Sequence, residues 1–179
     1  MDEFLSKYIV LEGVNINNED IYKALELDRK YYNIPDNEQF DVEKCMNWNN
    51  KTNNQIYTMI KDSESGDVIG YINAVPINNQ CYEDIRAGKY PDAEINDEDI
   101  VAFETPDIHK SYSLYFASIV IDTSKDGFIR FKMLYDAFLD KIINFTKKNI
   151  IISRIIADAV SEEGKKMCML SGMKKISDT

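Results

Sequence analysis

One histidine, His109, and three cysteines, Cys45, Cys81 and Cys168, are all the imidazole and thiolate ligands in the chain. No C-x-x-C pair occurs, so the spacing of a structural zinc site is missing. An odd cysteine count without paired spacing also argues against a disulfide framework. No apolar run approaches the roughly 20 residues that span a bilayer. The start, Met1-Asp2-Glu3-Phe4, lacks the basic residues and apolar stretch of a signal peptide. From these absences we expect a cytoplasmic protein with no metal and no membrane partner.

Positive charge is also in deficit. Lys and Arg number 21 against 31 Asp and Glu, a formal net charge of -10. Such a surface repels phosphate backbones, which argues against nucleic acid, and it attracts cationic or amine-bearing small molecules. Glycine is scarce, at 7 of 179 residues, so flexible linkers are not expected. The hydrophobic fraction of 44% is enough for a sizeable core, and we expect one domain over residues 1–179.

The pattern then yields an order of elements. Tyr8 to Leu11 is a β-favouring run ended by Gly13. Asn17 to Asp20 supplies capping residues for a helix with Ile21, Tyr22, Leu25 and Tyr32 near helical spacing, stopped by Ile34-Pro35-Asp36. A shorter helix is expected from Val42 to Trp48, followed by an Asn-rich loop to Asn54. Gln55–Lys61 and Val68–Val75 form a hairpin around Glu64-Ser65-Gly66-Asp67, with Pro76 expected to end it. The segment from Asn78 to Lys110 is polar and acidic, and a stretch this long is expected to be functional or partly helical. Within it Val101 to Phe103 reads as a short strand or edge.

Tyr112 to Ile121 is near-continuously apolar towards its end, which predicts a strand buried on both faces. A turn from Asp122 to Gly127 leads into a long helix whose buried stripe is expected at Phe128, Phe131, Leu134, Phe138, Ile142 and Phe145. Ile150 to Ala157 is another strand. Ser161 caps a last helix that Gly172 ends, and Met173 to Ile176 begins a further strand.

This order is that of a mixed α/β (α+β) fold with a central, partly antiparallel sheet. It resembles the GCN5-related N-acetyltransferase (GNAT) fold, a central mixed, largely antiparallel sheet flanked by helices, across nearly the whole chain. Ser118-Ile119-Val120-Ile121-Asp122 through Leu134 is similar to that family's acetyl-CoA segment. Ile155 through Lys175, with Gly172-Met173 where the family has Gly-Phe or a close variant, is similar to its following motif.

The resemblance implies acetyl-CoA as co-substrate and an amine of a small molecule or peptide as acceptor. Its diphosphate would meet the main-chain amides of a helix N-terminus. The loop is Ser124-Lys125-Asp126-Gly127-Phe128-Ile129-Arg130-Phe131. Gly127 stands at the first loop glycine. Asp126 falls at or beside the usual Arg or Gln, and Ile129 and Phe131 replace small residues. Lys125 and Arg130 are expected to bring positive charge. The backbone near Ile119, Val120 and Ile121 would pair with the pantetheine arm as an added strand does.

For the departing thiolate the family often has a Tyr four residues before the terminal Gly; here that position is Cys168. Tyr115 is an alternative hydroxyl. Glu104 is the expected general base, with His109 a second choice. Asp84 and Glu94 of the acidic segment, and Tyr31, Tyr32 and Trp48, fall where an acceptor site is expected. The departures in the loop leave a second reading open, a catalytically degenerate GNAT-fold module for ligand binding or protein interaction. The family's further strand after Gly-Phe is hardly begun here; on the resemblance, either that strand is missing from this chain or a second copy, in a homodimer, completes the sheet.

Overall fold

In the computed structural model, residues 7–32, 41–104, 110–124 and 126–176 are described. The element order is β1 (Tyr8–Glu12), α1 (Asn18–Tyr32), α2 (Val42–Lys51), β2 (Tyr57–Asp62), β3 (Val68–Ile77), α3 (Asn79–Arg86), β4 (Lys110–Ile121), α4 (Gly127–Lys147), β5 (Ile150–Ile156) and α5 (Glu162–Leu170). The strands lie side by side in sequence order; β1 to β4 pair antiparallel and β4 pairs parallel with β5. The α/β fold class read from the sequence is therefore the one observed.

Both sheet faces are covered. Ile21, Leu25, Trp48, Tyr57, Tyr71 and Tyr115 form one core under α1 and α2. Ile60, Ile72, Leu114, Phe116, Leu134 and Phe138 form the other under α4. Removing a leucine or isoleucine side chain from water in such a core contributes about 1.5–3 kcal/mol.

Four local expectations need correction. Pro76 does not end β3, which runs on to Ile77. Pro76 pairs in register with Leu114, while its carbonyl accepts from Val101 N at 3.0 Å. Its missing N–H therefore faces away from β4, where no ladder bond is lost. Val101 to Phe103 is not a strand; an isolated bridge joins Ile77 and Ile100. Met173 to Ile176 forms no strand either. The buried stripe of α4 is Arg130, Leu134, Phe138, Lys141 and Phe145, and Phe128 is 80% exposed. The stop at Ile34-Pro35-Asp36 lies outside the described residues.

Candidate active site

The site begins with a missing pairing. β4 and β5 pair from Lys110↔Ile150 to Tyr115↔Ile156, with a register shift between Tyr112 and Ser113, and no pairing follows. On the other side of β4, Asn73 faces Ser118 and Ala74 faces Phe116, so Ala117 is an extra residue. A bulge bends its strand and increases the local twist. Past Ala117 the second half of β4 leaves β5. This is why Ala117 to Ile119 are only half-buried, although the sequence pattern predicts burial on both faces.

The gap is a groove of about 620 Å³ between α1, β4, the segment after β5 and α5. On one wall the Asp28 carboxylate is held by hydroxyls. Its Oδ1 accepts from Tyr71 at 2.7 Å and from Ser118 at 2.9 Å. Its Oδ2 has no hydrogen bond among the described residues. Burial raises the Asp28 pKa, and the two hydroxyl bonds oppose that rise. Asp92, also on the groove, accepts from the Tyr115 hydroxyl at 2.9 Å.

Two tyrosines of α1 close the mouth. Tyr32 donates to the Ile119 carbonyl at 2.8 Å. That carbonyl thus points away from β3, towards the open edge. Alternation along the strand puts the Val120 backbone groups on β3 instead. Tyr31 donates to Asp122 Oδ1 at 2.7 Å. Burial pushes the Asp122 pKa up, but bonds from Ser124 and Tyr31 and the Arg130 charge outweigh it and hold it at about 2.

At the start of α4, Asp126 is left-handed, with φ 52° and ψ 25°. Asp tolerates that conformation better than most residues. Its side chain makes no capping bond, and its Oδ2 instead accepts from Tyr8 OH at 3.4 Å. The amides of Gly127 and Phe128 have no hydrogen-bond partner among the described residues. A helix N-terminus in this state has the donors and the dipole to hold an anion. The residues present therefore fit a diphosphate better than the negative side chain suggests.

The other expected site residues divide. Cys168 of α5 lines the groove, and burial raises its thiol pKa. Tyr115 is buried beneath the wall, at 1% exposure, and reaches the groove only through Asp92. Ile129 is 41% exposed on the first turn of α4. Arg130 is turned into the protein, at 4% exposure, with Nη1 3.0 Å from the Asp122 carbonyl and its guanidinium 5.1 Å from the Tyr8 ring centre. Glu104 is not brought to the groove. It pairs with Lys110 at 2.9 Å, at the opposite end of β4, about 23 Å from Ala117 at the usual rise per residue. Asp84 bonds Gln80 on α3, and Trp48 is core. Lys125 and His109 lie outside the described residues.

Asp28, Asp92 and Ser118 are groove residues that the sequence reading missed as site candidates. Asp28 carried a signal. It interrupts the apolar stripe Ile21, Leu25, Tyr32 at i+7, and an acid in a buried stripe is informative. Asp92 was hidden among many acidic neighbours.

No family model matches the chain. No curated protein matches it by sequence. Solved structures do match in shape. A possible acetyltransferase from Clostridium difficile 630 is 11% identical, with 96% of this chain and 93% of that chain covered and a TM-score of 0.55. The NatC complex bound to Gag peptide and CoA gives 13%, 97%, 87% and 0.57 for the same quantities. An aminoglycoside N-acetyltransferase in complex with CoA gives 12%, 96%, 91% and 0.53. With the β4–β5 divergence, the five-stranded sheet and these likenesses together, the chain has the fold of the GCN5-related N-acetyltransferases.

Proposed function

We propose that the protein moves an acyl group, acetyl in the simplest case, from a CoA thioester to an amine. The observation that carries this reading is the loss of β4–β5 pairing after Tyr115↔Ile156, which leaves a strand edge open beside a mainly apolar groove that holds the carboxylates Asp28, Asp92 and Asp158. Two of the similar structures contain CoA. Those likenesses support a CoA thioester as co-substrate here, and the Gag peptide in one and the aminoglycoside in the name of the other support an amine acceptor.

CoA would supply an activated acyl carbonyl. The amides of Gly127 and Phe128 would hold its diphosphate, and the open edge at Ile119 and Ile121 would hold its amide arm. Asp28, which lines the groove, would orient an amine and accept its proton. Cys168 keeps its proton at neutral pH, because burial raises its pKa, and it would return a proton to the departing sulfur. Tyr115 becomes a positioning residue for Asp92. A cytoplasmic location and a second copy along the β5 edge, where Ile151 is 40% exposed, belong to the same reading.

One observation favours the non-catalytic alternative: Arg130 faces the core and leaves the helix start without its cation. Calorimetric titration with acetyl-CoA, paired with thiol release in the presence of amines, separates the two. Binding with turnover supports the transferase. Binding without turnover supports the module. No heat at millimolar acetyl-CoA ends both CoA readings.

A further inference from the structure

We propose that Ser118 is itself an acyl acceptor: when no amine is present, its hydroxyl takes the acyl group from the CoA thioester as an oxygen ester. The inference rests on the acyl-transfer reading and adds a covalent site to the same groove. Ser118 is half-buried and lines the groove. Its Oγ donates to Asp28 Oδ1 at 2.9 Å. A serine hydroxyl is a weak nucleophile until a base stands within hydrogen-bond reach of its proton. Asp28 stands there.

The bulge in β4 creates this pair. Side chains along a strand point to alternate faces. Tyr115 and Ala117 face the core under α1 and α2, and Phe116 faces the core under α4. Strict alternation would turn Ser118 towards α4. The extra residue resets the phase, so Ser118 follows Ala117 onto the α1 side and meets Asp28 and Tyr71. Ile119 and Val120 then resume the alternation, on the α4 and α1 sides. Holding Asp28 does not require the serine. Tyr71 already donates to the same oxygen at 2.7 Å, from a position only 1% exposed. Of these two hydroxyls, Ser118 is the one on the groove. Ser161, the other serine there, is engaged as the cap of α5.

With the diphosphate at Gly127 and the amide arm along Ile121 and Ile119, the thioester comes to the closed end of the groove. Ala117 and Ser118 lie at that end, just past the last pair at Tyr115↔Ile156. Ser118 Oγ attacks the acyl carbon as its proton passes to Asp28. An O–C bond forms and the C–S bond breaks. The CoA thiolate leaves with the electron pair and gains the proton by way of Asp28, so the products are acyl-serine and free CoA. Burial raises the Asp28 pKa, which makes the carboxylate a stronger base. An amine bound at Asp28 competes for the same base.

The test incubates the full chain with acetyl-CoA and no amine, followed by an acid quench. Intact mass spectrometry then counts acetyl groups, and fragmentation of peptides places them. A single acetyl group is expected, on Ser118, and hydroxylamine should remove it as it removes an ester. Ser118→Ala should lose it, and Asp28→Asn should slow its formation about a hundredfold. Para-nitrophenyl acetate, an activated ester that needs no CoA site, should label the same serine. The measurements on the parent protein need no variant to fold. Acetyl-CoA is titrated in parallel by calorimetry. Acetyl-CoA binding without acetyl on Ser118 sinks the inference alone, as does acetyl on Cys168 or a lysine in its place. Ser118 labelled by the nitrophenyl ester without acetyl-CoA binding sinks the transferase reading and leaves a nucleophilic serine. No label on Ser118 from either compound overturns the inference outright.

Discussion

The Tyr32 hydroxyl, on the last turn of α1, donates to the Ile119 carbonyl at 2.8 Å. It thereby occupies the main-chain acceptor that an added strand or an amide arm would use. A bound CoA must displace this bond or work around it.

Tyr32→Phe removes that competitor. A hydrogen bond of this kind contributes about 0.5–1.5 kcal/mol net. We expect Tyr32→Phe to tighten CoA binding about two- to tenfold in a calorimetric titration. Weaker binding would mean that the hydroxyl helps to hold the ligand instead.

Asp126→Gly acts on the same ligand from the other end. The residue has φ 52°, a conformation that costs a side-chain-bearing residue about 1 kcal/mol. Glycine relieves that cost and takes a negative charge from beside the Gly127 and Phe128 amides. Tighter CoA binding is expected, with a gain that shrinks in 0.5 M salt as screening removes the charge contribution. A gain independent of salt would assign the whole effect to the backbone.

Asp28→Asn tests the carboxylate through stability. Burial raises the Asp28 pKa above its ordinary 3.8, so the native state binds the proton more tightly than the unfolded chain does. The sign of the linkage is then fixed: stability is lost as pH rises through the native pKa. Asparagine can still accept from Tyr71 and Ser118 and carries no charge. Asp28→Asn should be more stable than the parent at pH 7, and the gap should close below pH 4. Urea denaturation at the two pH values measures it; a gap that widens in acid contradicts the assignment.

Lys141 gives the opposite slope. It is buried, donates to the Tyr57 carbonyl at 2.7 Å, and burial lowers its pKa to about 8, with Glu12 opposing. Its native pKa lies below the unfolded one, so the native state binds fewer protons between about pH 8 and 10.5. This group alone should raise stability by up to about 3 kcal/mol across that window. An NMR titration of its side chain should show a midpoint near 8, and a midpoint near 10.5 would refute the burial argument.

Much of the site was legible in part only. The family resemblance singles out Gly127, Ile119 and Cys168; Ile119 and Cys168 line the groove, and Gly127 opens α4. Glu104 was misplaced because acidity and nearness to β4 in sequence say nothing about which end of β4 it joins. Lys110 decides that, by pairing with it at the far end. Arg130 looked available as a cation, yet helical rotation places it on the stripe with Leu134 and Phe138.

The sequence by itself determined most of the elements and their order, though not α3 or the end of β3, because period-2 and period-3.6 patterns, caps and turn residues act over short range. It also determined the sign of the field, since composition alone sets net charge. Only the tertiary structure decided that β4 leaves β5 after Tyr115 and that Ala117 is the extra residue in the ladder. It alone brought Asp28, Tyr71 and Ser118 to one point. Strand register and side-chain meeting points arise from contacts between residues tens of positions apart, and no local pattern encodes them.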